Sequence, residues 1–121
     1  MSAPDIQPGS LLILEVEMAA ALHKAARLFR LDEAALNEAW RVFLGDWSAF
    51  ARVEVAEALV KRASQLVLKY SLRGYDALHL AAALAWQDHI GEPVTLATFD
   101  RELWQAALQA GLAAWPEQLA E

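Results

Sequence analysis

Apolar residues recur at helical spacing through the first part of the chain. They fall at positions 11, 14, 18, 22, 25 and 29, which predicts one buried helix over residues 11–29. A second helix is predicted to begin after Asp32, whose side chain can cap it, and to end at Gly45. Together these helices would form an αα-hairpin. Residues 1–9 are expected to form an extended N-terminal segment.

The rest of the chain alternates between short apolar runs and helical periods. The predicted strands cover residues 50–55, 94–99 and 112–115, and the predicted helices cover residues 56–71, 75–90 and 101–110. The run 94–99 is apolar or β-branched nearly throughout, which is typical of a strand buried on both faces. Helices that alternate with such strands predict an α/β fold with a short parallel sheet.

The composition indicates one folded domain. A chain of 121 residues with 57% hydrophobic residues is long enough for a single core, so we expect residues 1–121 to form one domain. The five tryptophans lie on or beside the predicted core stripes and are expected to be mostly buried, at positions 40, 47, 86, 104 and 115. No apolar run is long enough to span a bilayer, and no basic segment typical of a secretory signal is found, so a cytoplasmic protein without membrane contact is expected.

The charge balance narrows the classes of function. Sixteen acidic and ten basic residues give a net charge of −6, which argues against binding nucleic acid through bulk positive charge. An acidic nuclease is still possible if metal ions link its carboxylates to the phosphate. With no cysteine in the chain, a metal would have to bind oxygen or histidine.

Two carboxylates are placed where the predicted elements change. Asp76 falls in the first turn of the helix that follows Gly74, and Asp100 lies at the carboxyl end of the 94–99 strand. Thr98 shares a strand face with Asp100 and could hydrogen-bond its carboxylate or a bound water. Because ligands of parallel sheets bind at the carboxyl ends of the strands, we expect Asp76 and Asp100 to lie close together. Such acids fit Mg²⁺ or Mn²⁺, which would activate a water and neutralise a phosphodiester.

Each of these residues also has a purely structural interpretation. Asp76 could serve only as an acid stabilised by the helix dipole, and Asp100 only as an N-cap. Arg73 and Arg101 flank the two acids and could either bind substrate phosphate or pair with the acids. His79 is expected to be a core residue rather than a ligand.

Residues 72–84 and 98–103 resemble the second half of a PIN domain, especially those of VapC-type toxins. Residues 17–24 are similar to the family's helix in which a catalytic Glu is followed by Ala-Leu at the fourth and fifth positions. The resemblance covers roughly residues 10–116. It implies a helix-rich PIN-like α/β fold with a short parallel sheet, Mg²⁺- or Mn²⁺-dependent ribonuclease activity on RNA, and a cognate antitoxin.

The same resemblance assigns roles to individual residues. It gives Glu17, Asp76 and Asp100 catalytic and metal-ligand roles. Helical periodicity favours Glu15 instead of Glu17, because Glu15 falls within the apolar stripe of the first helix. Glu17 could also be a surface carboxylate that faces His23 or Lys24.

The chain departs from the family pattern at its N-terminal end. PIN domains begin with a strand that ends in an Asp, followed by a helix and a second strand, whereas only 16 residues precede Glu17 here. Asp5 lies beside Pro4 in a segment that does not read as a buried strand, so it is not assigned the missing role. The sequence therefore predicts an N-terminally truncated domain, which could complete its sheet as a homo-oligomer. The alternative function is a catalytically degenerate PIN module that acts in self-association or in binding an antitoxin-like partner.

Overall fold

The computed structural model describes residues 7–119, so Asp5 lies outside the described residues. The chain divides into two compact units, Met1–Glu54 and Val55–Glu121, which we call unit 1 and unit 2. Each unit is described by itself. None of the described helices combines the length and the apolar character that a membrane-spanning segment needs.

Unit 1 consists of two helices, which lie between two short strands in the sequence. Its elements are β1 (Gly9–Leu11), α1 (Leu14–Leu28), α2 (Glu33–Trp47) and β2 (Ala51–Val53). The two strands pair in parallel, with Gly9 opposite Ala51. The Leu12 N–H donates to the Val53 carbonyl at 2.8 Å and extends this pairing by one bond. Helix α1 packs against α2, which confirms the αα-hairpin.

Three predictions for unit 1 are wrong in detail. The predicted helix over residues 11–29 begins only at Leu14, because Leu11 belongs to β1 and its backbone pairs with β2. The apolar run before Glu15 fits a strand as well as a helix, and the non-local pairing decides between them. Helix α1 is also not a buried helix, since Ala26 is its one buried residue among those described. Helix α2 continues past Gly45 to Trp47.

Trp47 explains why α2 extends beyond the glycine. Its side chain is 2% exposed, and its ring stacks on Phe43 at 5.6 Å and contacts Phe50 at 5.3 Å between centroids. Its indole N–H donates to Oε1 of Glu15 at 3.0 Å. The aromatic contacts and this hydrogen bond hold the last turn of α2 against α1 more strongly than a single glycine destabilises it.

Unit 2 contains three helices and a second pair of parallel strands. Its elements are α3 (Glu57–Tyr70), α4 (Gly74–Ile90), β3 (Thr95–Ala97), α5 (Arg101–Gln109) and β4 (Ala113–Trp115). Strand β3 pairs with β4, with Thr95 opposite Ala113. The helix-rich α/β fold with short parallel sheets is therefore confirmed.

Helix α4 is the centre of unit 2 and packs against both α3 and α5. Its buried positions are mostly alanine, which lets the neighbouring helices approach closely; they are Ala77, Leu80, Ala81, Ala82 and Leu84. The helix ends at Gly91, which adopts the left-handed conformation at φ 70° that glycine tolerates best.

Two predictions about burial are wrong. Of the run 94–99, Val94 is the buried residue, whereas Thr95, Ala97 and Phe99 are exposed. An apolar run does not specify how many neighbouring elements cover its sheet, and here the sheet has two strands. Among the five tryptophans, one is buried, three are half-buried and Trp115 is 53% exposed, so the expectation that they are mostly buried is wrong for Trp115 and holds only in part for the others.

Two aspartates cap helices in the same way, one in each unit. Oδ1 of Asp32 accepts the Ala35 N–H at 2.8 Å at the start of α2, as its sequence position predicts. Oδ1 of Asp100 accepts the Leu103 N–H at 2.9 Å at the start of α5. Each carboxylate satisfies one of the backbone donors that the first turn of a helix leaves without a partner.

Replacing Trp47 with Ala is expected to destabilise the protein by about 3–5 kcal/mol, because it removes a buried aromatic ring and leaves a cavity. Phe29→Ala is the matched control, since Phe29 is also in unit 1 but is 73% exposed, and its replacement should cost less than about 1 kcal/mol. Urea unfolding followed by circular dichroism measures both. Equal losses of stability would contradict the assignment of Trp47 to the core.

Replacing the cap residue Asp100 with Ala is expected to cost about 0.5–2 kcal/mol, whereas Asp100→Asn should cost much less because asparagine keeps a capping oxygen. Asp32→Ala and Asp32→Asn provide the same comparison at the other cap. Thermal unfolding of the four variants measures the differences. If Asp100→Asn were as destabilising as Asp100→Ala, the cap would not explain the stability of α5.

Candidate functional site

Asp100 lies at the junction between β3 and α5. The loop after β3 leads directly into α5, and the Asp100 N–H donates to Oγ1 of Thr98 at 3.0 Å. Its Oδ1 is used by the cap, and within the described residues Oδ2 accepts no hydrogen bond. The structural interpretation of Asp100 as an N-cap is therefore correct, and it leaves one carboxylate oxygen available for a ligand.

Asp76 lies in the first turn of α4 and is half-buried. It does not cap the helix: the N-cap position is Arg73, which makes no side-chain capping hydrogen bond. Within the described residues its carboxylate has no hydrogen bond or ion pair. The positive end of the α4 dipole favours a negative charge there, which is the kind of support that a ligand-binding carboxylate needs.

The end of α3 lies beside α5. Ser71, directly after α3, borders a cleft whose lining runs along α5 from Glu102 in its first turn to Gln109 in its last. Helix α4 begins at Gly74, shortly after Ser71.

The C-terminal end of α4 shows the direction in which α5 runs. In the last turn of α4, Gln87 donates from Nε2 to the Gly111 carbonyl at 3.3 Å, just after α5. Its Oε1 accepts the Val94 N–H at 2.9 Å, just before β3. Since the C-terminal ends of α4 and α5 meet there, the helices run in the same sense, which places Asp76 and Asp100 at the other, shared end.

Thr98 has a different role from the expected one. It lies beside Asp100, but its hydroxyl oxygen accepts the backbone N–H of Asp100 rather than bonding the carboxylate. This contact fixes the backbone at Asp100 and so positions its side chain. Thr98 is therefore a positioning residue in this structure.

The two candidate arginines lie at the same end of unit 2 as the aspartates. Arg73 is exposed at the N-cap of α4, and Arg101 is exposed at the first position of α5. Both guanidinium groups therefore start from the end of unit 2 that carries the two acids. His79 is half-buried, and its ring contacts Tyr75 edge-on at 4.5 Å between centroids, which fits a packing residue.

Glu15 and Glu17 differ clearly within unit 1. Glu15 accepts the hydrogen bond from buried Trp47 and thus belongs to the contact between α1 and α2. Glu17 is exposed on α1 and makes no hydrogen bond or ion pair with any described residue. Both glutamates are exposed, but the one that helical periodicity favoured contacts α2, whereas the one that the family motif identified has no partner among the described residues.

The donor set of unit 2 fits a hydrated hard cation. Within neither unit do three histidine, aspartate or glutamate side chains of the described residues form a group that could hold a metal by themselves. Mg²⁺ often keeps several waters and uses one or two carboxylates together with substrate phosphate. Asp76 and Asp100 carry oxygen donors of the kind that this smaller requirement names.

Sequence reasoning missed an exposed aromatic pair beside Asp100. Phe99 is 77% exposed and meets Trp115 edge-on at 5.7 Å between ring centroids. Phe99 falls in the predicted strand 94–99, and Trp115 falls in the predicted strand 112–115 and among the tryptophans expected to be buried. The signal that could have found them is their position at strand ends, where Asp100 and Pro116 interrupt the apolar runs.

Comparison with known proteins places this arrangement in a family. The PIN domain family matches residues 9–108. Ribonuclease VapC45 of Mycobacterium tuberculosis (strain CDC 1551 / Oshkosh) is 39% identical over 104 residues, which are 85% of this chain and 69% of that protein. Ribonuclease VapC49 of M. tuberculosis (strain ATCC 25618 / H37Rv) matches with the same identity and coverage. The chain therefore belongs to the PIN domain family, of the VapC type.

Proposed function

We propose that this protein is a metal-dependent ribonuclease of the VapC type that hydrolyses RNA phosphodiesters with Mg²⁺ or Mn²⁺. The observation that carries the proposal is the common location of Asp76 and Asp100 at the N-terminal ends of α4 and α5. The similarity of this chain to two proteins named ribonucleases supports the same reaction class.

The residues of unit 2 would have two kinds of role: binding the cation or the RNA, and positioning another residue. Asp76 and the Oδ2 atom of Asp100 would hold the cation, and Thr98 would fix the backbone at Asp100. A bound Mg²⁺ or Mn²⁺ supplies an activated water and neutralises charge on the phosphodiester. Arg73 and Arg101 would bind phosphate oxygens of the RNA at the same end of the unit.

Glu17 completes the proposed set of catalytic residues. Its assignment rests on the motif of residues 17–24 and on the exposed carboxylate, which no contact with a described residue occupies. Its role is tested separately from that of the two aspartates, because it belongs to the other unit.

The partners proposed for this protein are RNA, a cognate antitoxin and a second copy of the chain. Unit 1 exposes several large apolar side chains that its own core does not cover; they include Val16, Leu28, Phe29 and Leu31. Exposed apolar surface of this kind is typical of protein interfaces. The same surface supports the alternative function, a non-catalytic PIN module that acts through self-association or antitoxin-like binding.

Replacing Asp76 or Asp100 with Asn should weaken Mn²⁺ binding and RNA cleavage by about tenfold or more, because each variant removes a charged oxygen ligand. Isothermal titration with Mn²⁺ and cleavage of a mixed RNA pool measure the two effects. Since Asn keeps the cap of α5, the loss at position 100 would reflect the carboxylate charge rather than unfolding.

Glu92→Gln is the matched control for these variants. Glu92 is an exposed acid of unit 2 that follows α4 at the end opposite Asp76, so its replacement should leave both readouts unchanged. A folded wild-type protein that binds no Mn²⁺ and cleaves no RNA would overturn the ribonuclease proposal and favour the non-catalytic module.

Glu17→Gln and Glu15→Gln are expected to have opposite effects. Glu17→Gln should lower cleavage without changing stability, because Glu17 has no contact that packing requires. Glu15→Gln should lower stability by about 1 kcal/mol through its weakened bond with Trp47 and should leave the cleavage rate of the folded protein unchanged. The reverse pattern would transfer the catalytic role from Glu17 to Glu15.

A further inference from the structure

Phe99 and Trp115 form an exposed aromatic pair next to the candidate catalytic end of unit 2. Phe99 is 77% exposed and Trp115 is 53% exposed, although each is large enough to bury well over a hundred square ångströms in a core. Their ring planes meet at 67°, so the contact between the two exposed rings is edge-to-face. We call these two residues the aromatic platform.

The backbone on both sides of the platform is fixed. The Thr98 N–H donates to the Trp115 carbonyl at 3.0 Å, which ties the two residues' segments together. The indole N–H of Trp104 in α5 donates to the Pro116 carbonyl at 2.6 Å, directly after Trp115. The Asp100 N–H is held by Thr98 directly after Phe99. The exposed rings therefore extend from a backbone that these hydrogen bonds hold in place.

We infer that the aromatic platform stacks an unpaired base of single-stranded RNA and thereby positions the strand at Asp76 and Asp100. The inference rests on the proposed ribonuclease function and names a substrate-binding element of that site. Phe99 directly precedes Asp100 in the chain, so RNA held on the platform would lie against the segment that also carries this carboxylate. Flat faces of aromatic side chains bind every base, and single-stranded RNA offers its bases for such stacking.

The charge of the protein favours stacking as the source of affinity. A net charge of −6 gives little bulk attraction for phosphates, and the sequence beside the platform carries Asp100, Glu102 and Glu117 together with one arginine, Arg101. Stacking does not depend on positive charge, so it can hold RNA where bulk electrostatics cannot.

The test is binding of a fluorescein-labelled single-stranded RNA octamer, measured by anisotropy in EDTA so that no cleavage occurs. Phe99→Ala and Trp115→Ala should each weaken binding about fivefold or more. Phe99→Tyr and Trp115→Phe keep an aromatic ring and should bind within about twofold of wild type. Phe99→Leu and Trp115→Leu keep apolar bulk without an aromatic face and should also weaken binding about fivefold or more. They keep the test valid if the alanine variants fold poorly.

Two controls show whether the ring faces themselves hold the bases. Leu68→Ala removes another exposed apolar side chain of unit 2, 85% exposed on α3, and should leave RNA binding unchanged. An octamer with abasic sugars should lose as much affinity as the alanine variants lose. Equal binding of intact and abasic RNA, or of wild type and the leucine variants, would overturn the inference.

Two further readouts separate base stacking from protein association and from catalysis. Sedimentation of Phe99→Leu should match wild type, and a change in oligomeric state with unchanged RNA binding would show that the platform is a protein interface. Cleavage with Mn²⁺ is measured separately. RNA binding that depends on the platform, without any cleavage, would refute the ribonuclease proposal and support the role of the platform in binding RNA. Cleavage by a protein whose RNA binding does not depend on the platform would support the ribonuclease proposal and refute that role.

Discussion

The arrangement of unit 2 depends on the contact between the last turn of α4 and the two segments that frame the β3–β4 pair. The amide of Gln87 bonds the Val94 N–H with its oxygen and the Gly111 carbonyl with its nitrogen. One side chain therefore fixes where both strands start relative to α4. Because α5 lies between these strands in sequence, the same contact sets its direction, and the alanine-rich surface of α4 lets α5 pack closely along it.

This constraint places two carboxylates at one end of unit 2 without any direct bond between them. Asp100 directly precedes α5 and Asp76 lies in the first turn of α4, so each lies near the positive end of a helix dipole, which stabilises a negative charge by about 0.3–1 kcal/mol. A divalent cation bound at this end would carry the charge opposite to that of both carboxylates. Among the described residues of either unit, no three acids form a set that could hold such an ion alone.

Most elements of unit 2 could be predicted from the sequence, because their signals are local. The spacing of apolar residues indicated α3 and α4, Asp100 marked the start of α5, and short β-branched or apolar runs indicated β3 and β4. Prediction failed where non-local contacts decide. Leu11 joined a strand because β2 pairs with it, α2 passed Gly45 because Trp47 packs on Phe43 and Phe50, and Trp115 is exposed because few elements cover its sheet. The assignment of Glu17 came from the family motif alone, and it stays a prediction.

The two aspartates do not support the catalytic interpretation equally. Asp100 would be retained by any sequence that needs α5 to start where it does, because its Oδ1 caps the helix. Asp76 caps no helix, is half-buried, and forms no hydrogen bond or ion pair with a described residue. The helix dipole favours a negative charge there but supplies no hydrogen-bond partner for it. A ligand that pairs with the carboxylate would be such a partner, so the proposed metal site depends more on Asp76 than on Asp100.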